Sequence, residues 1–172
     1  MKINFYPEHD DLALEEATKK YAKIWKEEEE RIIKVLEKLS GLKFKEKFIN
    51  AIIYDEPSWS HPLKLDCRIS DKLKRGVLVH ELIHRLFKGN SKEKLKIPFS
   101  KNNYILDVHK LLDLILFDAW VELYDEDFAK DQITYEINLW NREGISPYKV
   151  AWDWVLKMTK EQRAEEFKKH WA

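Results

Sequence analysis

The chain has 172 residues, 44% of them hydrophobic, which suffices for one domain with a substantial core and is too short for two. Lys plus Arg is 31 and Asp plus Glu is 31, a formal net charge of zero, so no overall field draws the protein to nucleic acid or an anionic membrane. No uncharged apolar run reaches bilayer length, the opening MKINFYPEHDD lacks the regions of a signal peptide, and Cys67 has no second cysteine to pair with. These features predict a cytoplasmic, soluble protein with neither nucleic-acid nor membrane partners. Charged residues reach 36% while glutamine is confined to Gln132 and Gln162, a bias described for thermophile proteins.

In chain order, residues 1–6 alternate weakly and predict an edge strand. Apolar residues then recur at helical spacing from about Glu8 to Leu39, as one long helix or two, stopped by Ser40 and Gly41. The acidic block from Glu27 to Glu30 reads as a solvated helix face. Phe44 to Tyr54 and Leu63 to Ile69 predict strands, divided by the turn-rich DEPSWSHP. Ser70 or Asp71 caps a helix that runs through DKLKRGVLVHELIHRLFK to Gly89, a suitable residue just past a helix end. After a polar, basic link, a helix begins near Asn102 or Asn103 and reaches Tyr124; it is apolar on nearly every side and so belongs at the centre of the fold. Further helices follow at about Asp127 to Arg142 and Pro147 to Met158, and Thr159 with Gln162 has capping-box spacing for a last short one. The expected fold is α+β: a mainly helical single domain spanning 1–172, with a small sheet before the helix that carries the chemistry.

That chemistry is His80-Glu81-Leu82-Ile83-His84. Residues four apart on a helix share a face, so both imidazoles reach one ion, about 2.0 to 2.1 Å from each nitrogen. Glu81 projects about 100° round the helix, outside the ligand set but within reach of a metal-bound water. Zinc lowers the pKa of such a water to near 7 and polarises a carbonyl, with Glu81 as general base and later as proton donor to the leaving amine. The class implied is peptide or amide hydrolysis. Gly76, one turn before His80, predicts another backbone in close approach.

A catalytic zinc ordinarily takes three protein ligands. His109, Asp118 and Glu122 on the following helix are the candidates. His109 leads, because imidazole is a ready ligand and Asp113, four residues on, can support a ligand histidine; Glu122 and Asp118 are its rivals. Two carboxylates on an apolar helix also require something cationic to meet them. Of the remaining residues, LKLDCRI before the motif helix is the candidate edge strand for substrate. Tyr148 is a candidate oxyanion donor or else a core ring beside Trp152, and His61, in a turn, approaches the cleft or faces water. Cys67 is a small core residue or a blocking thiolate, and Trp140, Trp152 and Trp154 are core or seal a homodimer.

From the HELIH helix to the next, over about 45 residues, the chain resembles the gluzincin branch of the zincins and, in size, the archaeal minigluzincins. That resemblance implies a zinc metallopeptidase acting on peptides or unfolded protein. It also implies a third ligand on a downstream helix, where the family has Glu followed four residues later by a supporting Asp. His109-x-x-x-Asp113 matches this spacing with His in the ligand place, and DAWVELY matches another family pattern with Asp118 in that place. The alternative expectation is a metal that only staples the helices, or a latent peptidase whose cleft is filled by its own terminal segment or by a partner.

Overall fold

A computed structural model describes residues 1–91, 94–96, 103–139 and 146–171. Three strands, β1 (Lys2–Pro7), β2 (Phe48–Tyr54) and β3 (Leu63–Asp66), form a parallel sheet in the order β1-β2-β3. Six helices are described: α1 (Leu12–Ser40), α2 (Asp71–Asn90), α3 (Tyr104–Leu123), α4 (Glu126–Leu139), α5 (Pro147–Val155) and α6 (Lys160–Lys168). The architecture is the expected α+β one, mainly helical. The expected helix start at Asn102, the expected end at Arg142 and Trp140 lie outside the described residues.

The 29 residues of α1 form one helix. Asp11 Oδ1 accepts from Ala13 N (2.8 Å) and Leu14 N (3.1 Å), meeting two of the donors a helix start leaves unpaired. Gly41, at φ 67°, ends it in a left-handed turn, with its N–H on Glu37 O. The helix crosses between β1 and β2, which parallel pairing requires. The link from β2 to β3 (55–62) carries no helix. Alternation along the strands sends Ile3, Ile49, Ala51, Ile53, Leu63 and Leu65 inward, and Lys2, Tyr6, Phe48 and Asn50 outward.

Helix α2 starts at Ser70, whose Oγ accepts from Leu73 N (3.3 Å). Lys74 is buried along its stem and places its ammonium on the carbonyls of Cys67 and Ile69, which holds the turn from β3 into the helix. Gly89 does not end α2 as expected. The helix runs on to Asn90, whose buried amide donates to Leu86 O (2.8 Å) and Lys43 O (2.9 Å) and so absorbs carbonyls that a glycine turn would otherwise have to meet.

Helix α3 is central, as its unbroken apolarity predicts, and packs against α1, α2, α4, α5 and α6. Its Trp120 is fully buried, donates to Gly76 O on α2 (3.2 Å) and stacks on Trp152 of α5 at 5.7 Å between ring centres. The close neighbour of Gly76 is a side chain and not the expected backbone. A Cβ on Gly76 would lie 2.0 Å from Gln132 Oε1 and 2.7 Å from Gln132 Cγ, and Gln132 itself is buried with its amide on Lys72 O. Gly76 thus sets how closely α4 approaches the motif helix. Trp152, being wholly interior, is core and is not available to seal a dimer.

Gly76→Ala is expected to lower stability by about 1–3 kcal/mol, because overpacking against buried Gln132 outweighs the roughly 1 kcal/mol of helix propensity gained. Urea unfolding of Gly76→Ala in the wild-type and Gln132→Ala backgrounds checks this: the loss shrinks or vanishes in the second, since the side chain in the way is gone.

Candidate metal centre

Helix α2 brings His80 and His84 to one face, and α3 lays His109 across it. Among the described residues these three form the group whose ligand atoms all lie within 4.8 Å of one another. His80 Nε2 and His84 Nε2 are 3.0 Å apart, and the rings of His109 and His84 lie 5.2 Å apart between centres. A tetrahedral zinc with bonds of 2.0–2.1 Å separates its ligand nitrogens by roughly 3.3 Å. Small ring movements would bring the observed set to that spacing.

Two of the rings are oriented by what their other nitrogen meets. His80 Nδ1 lies 2.5 Å from Glu136 Oε1, while Glu136 Oε2 accepts from Trp152 Nε1 at 2.9 Å. His109 Nδ1 donates to Ile105 O at 2.7 Å, one turn back on its own helix. Both bonds leave the Nε2 lone pair for the cluster, and His109 Nε2 is buried with no partner among the described residues. Tyr148 of α5 packs on His109, with ring centres 4.2 Å apart.

Electrostatics sharpen the picture. Burial pulls the His80 pKa down, but the charge and hydrogen bond of Glu136 outweigh it and hold the pKa above the ordinary value. Burial, with the field of His80, pushes His84 well down and His109 to about 3, so both rings are neutral, as ligands must be. Glu81 is 7% exposed, and burial raises its carboxyl to about 7 against the opposing pull of His80. Asp113 is fully buried, and both its oxygens lack a hydrogen-bond partner among the described residues. Burial, and then the charge of Glu136, push its carboxyl well above the ordinary range. Burial thus holds the Glu81 and Asp113 carboxyls toward their protonated forms in the absence of a cation; a nearby dication would lower both pKa values.

The rival ligands lie elsewhere. Asp118 is buried in a two-pronged pair with Arg163 of α6 (Oδ2–Nε 3.0 Å, Oδ1–Nη2 2.7 Å), and exposed Glu122 pairs with Lys38 (2.7 Å) and Lys160 (3.8 Å). The cations that α3 demanded are therefore Arg and Lys. Asp113 hydrogen-bonds none of the three histidines, as its position had suggested it would, because His109 turns Nδ1 to its own helix backbone and His80 turns Nδ1 to α4. Glu136 holds His80 instead and was missed. Its one trace in the sequence is a carboxylate falling in line with Ala129, Gln132 and Ile133, on the buried stripe of α4.

Cys67 is not in the histidine group; burial and the adjacent Asp66 raise its thiol pKa. His61, hydrogen-bonded through Nδ1 to Ser60 Oγ at 2.9 Å, contributes a field that lowers the His84 pKa, and its own falls to about 4 through burial. β3 does occupy a sheet edge, yet its outward backbone groups are taken: Lys64 N and O pair with Trp59, Asp66 N bonds Ser58 Oγ, and Asp66 O accepts from Tyr21. The edge expected to receive substrate is covered by the protein itself. No described helix is long and apolar enough to cross a membrane. The chain matches no family model, no curated protein and no solved structure.

Glu136→Gln is expected to weaken metal binding by roughly 10–100-fold, measured by chelator competition, because the histidine it orients loses a charged partner. Asp113→Asn has a pH signature in metal-free protein. A folded pKa raised above the unfolded value of about 3.9 means stability that is present below that value and lost as pH rises. The melting-temperature advantage of Asp113→Asn over wild type should therefore grow from pH 4 to pH 7, and an advantage constant across that range would contradict a buried, unpartnered acid.

Proposed function

We propose that this protein is a zinc-dependent hydrolase of the zincin type, gluzincin-like with histidine as third ligand, acting on peptides or unfolded protein. His80, His84 and His109 would hold the metal through Nε2. The observation that carries the reading is the unpartnered, buried His109 Nε2 facing two further imidazoles, with the buried carboxyl of Glu81 next to His80 in the chain. When bound, zinc supplies Lewis acidity and a water of lowered pKa. Glu81 takes up the water's proton and returns it to the departing amine, a role worth about 10²–10⁴-fold in rate. Glu136 and the Ile105 carbonyl keep two imidazoles in the tautomer that leaves Nε2 free. Tyr148, whose ring packs on His109, is the candidate donor to a substrate carbonyl.

A second reading, a metal that staples α2 to α3 without catalysis, or a latent enzyme, is favoured by two observations. The ligand set is largely buried, and the outward groups of β3 are closed by Trp59, Ser58 and Tyr21.

Metal analysis should find one zinc per chain. Glu81→Gln should keep that zinc while hydrolysis of an unfolded protein such as casein falls by about 10²–10⁴-fold; a zinc-loaded Glu81→Gln as active as wild type would sink the mechanism. A chelator that lowers the melting temperature sharply, in a protein that cleaves nothing, would favour the structural reading.

A further inference from the structure

The two edges of the sheet are treated differently by the rest of the chain. Lys2 N donates to Lys47 O (2.8 Å) and Glu8 N to Ile53 O (3.0 Å), in a register pairing Lys2 with Phe48 and Pro7 with Ile53. Even-numbered residues of β1 therefore turn their main chain to β2, and odd-numbered ones turn theirs away. The outward N–H and C=O groups of Ile3 and Phe5 have no backbone partner among the described residues. Unlike β3, this edge is open, and Pro7, which has no N–H, marks where pairing must stop.

Beside it lies a groove of about 740 Å³ whose apolar lining includes Ile3, Phe5, Trp25, Ile33 and Phe44, with Phe48, 70% exposed, at its mouth. It is continuous with a second groove of about 630 Å³, with which it shares Met1, Glu29, Ile33 and Glu37. Their lining follows α1 from Ala22 to Lys38. That length is roughly 24 Å at about 1.5 Å per helical residue, the span of about seven residues of extended chain.

Charge selects the occupant. The acids lining the larger groove are already neutralised, Glu29 by the Met1 amine, Glu37 by Lys43 and Glu46 by Arg85. Its lysines are not: Lys2, Lys26 and Lys47 are exposed and have no ion-pair partner among the described residues. In the continuation, Glu30 and Lys34 offset one another. A second copy of the chain paired edge to edge would bring these lysines toward their own counterparts, which like-charge repulsion opposes.

We propose that the open edge of β1 and its groove bind an extended peptide segment of alternating apolar and acidic residues, added as a fourth strand of the sheet. Main-chain bonds to Ile3 and Phe5 supply register, the apolar lining takes alternate side chains, and the three lysines select carboxylates. The proposal is independent of the metal centre.

The test uses the full chain and an end-blocked, fluorescein-labelled octapeptide alternating valine and glutamate, with its valine–lysine counterpart as control. In low salt, anisotropy should show the acidic peptide binding at least tenfold more tightly than the basic one, and the double variant Lys26→Glu, Lys47→Glu should reverse that order. Both lysines are exposed, and an unchanged melting temperature verifies that the variant is folded. Hydrogen exchange at the Ile3 and Phe5 amides should slow when the acidic peptide is present. Equal affinity for the two peptides, no binding of either, or unchanged exchange at those amides would each overturn the proposal. Slowing of the same amides with rising protein concentration and no peptide would assign the edge to a second copy, and would overturn it too.

Discussion

Helix α2 carries two imidazoles and a carboxylate through the interior, and the rest of the fold is arranged around that constraint. Buried polar groups are costly unless something meets them. Three elements contribute: α3 sends His109 and fixes its tautomer through its own backbone, α4 sends Glu136, and α5 sends Trp152 to hold Glu136. Asp113 and His109 Nε2 remain unmet among the described residues. A cation at the three nitrogens answers the second directly and the first through its charge, which is the physical content of the proposed metal reading.

The spacing of the helices makes this convergence possible. Gly76 lets Gln132 of α4 sit against α2, and Trp120 ties the same residue's carbonyl to α3. Without that close approach, Glu136, one turn beyond Gln132, would not reach His80. Other buried charges serve the frame. Asp118 with Arg163 joins α3 to α6, and Glu28 joins α1 to Arg75 of α2 and to Tyr124, just past the end of α3. Such pairs break at high cost when one partner is removed, because a charge is then left buried and alone.

The sheet has two characters. Its β3 edge, next in sequence to the motif helix, is closed by the short link that joins β2 to β3, so a substrate of the proposed hydrolase approaches the histidines by contacts other than strand addition there. Its β1 edge is the one with unpaired main chain beside an apolar groove. Catalysis and strand capture, where each is proposed, thus fall on different parts of the chain.

Local patterns carried much of this in the sequence itself. Helical periodicity, Ser70 or Asp71 as a cap, Gly41 as a stop and the capping box at Thr159 are short-range chemistry, and the elements stand close to where these signs predict them. The motif histidines share a face because four residues make about one helical turn. What three dimensions decided was pairing across elements. Asp118 and Arg163 are 45 residues apart, and so far from one another that no local pattern distinguishes a carboxylate awaiting arginine from one awaiting a metal. Glu136 is 56 residues from His80 and looks, along α4, like any helical glutamate. Asp113 had the right spacing to support a histidine, but tautomers are set by whichever acceptor reaches the ring first, and that was a backbone carbonyl for His109 and a carboxylate from another helix for His80. Sequence determines which groups need partners; only packing decides which partner arrives, because helix crossings bring together residues that the chain holds far apart.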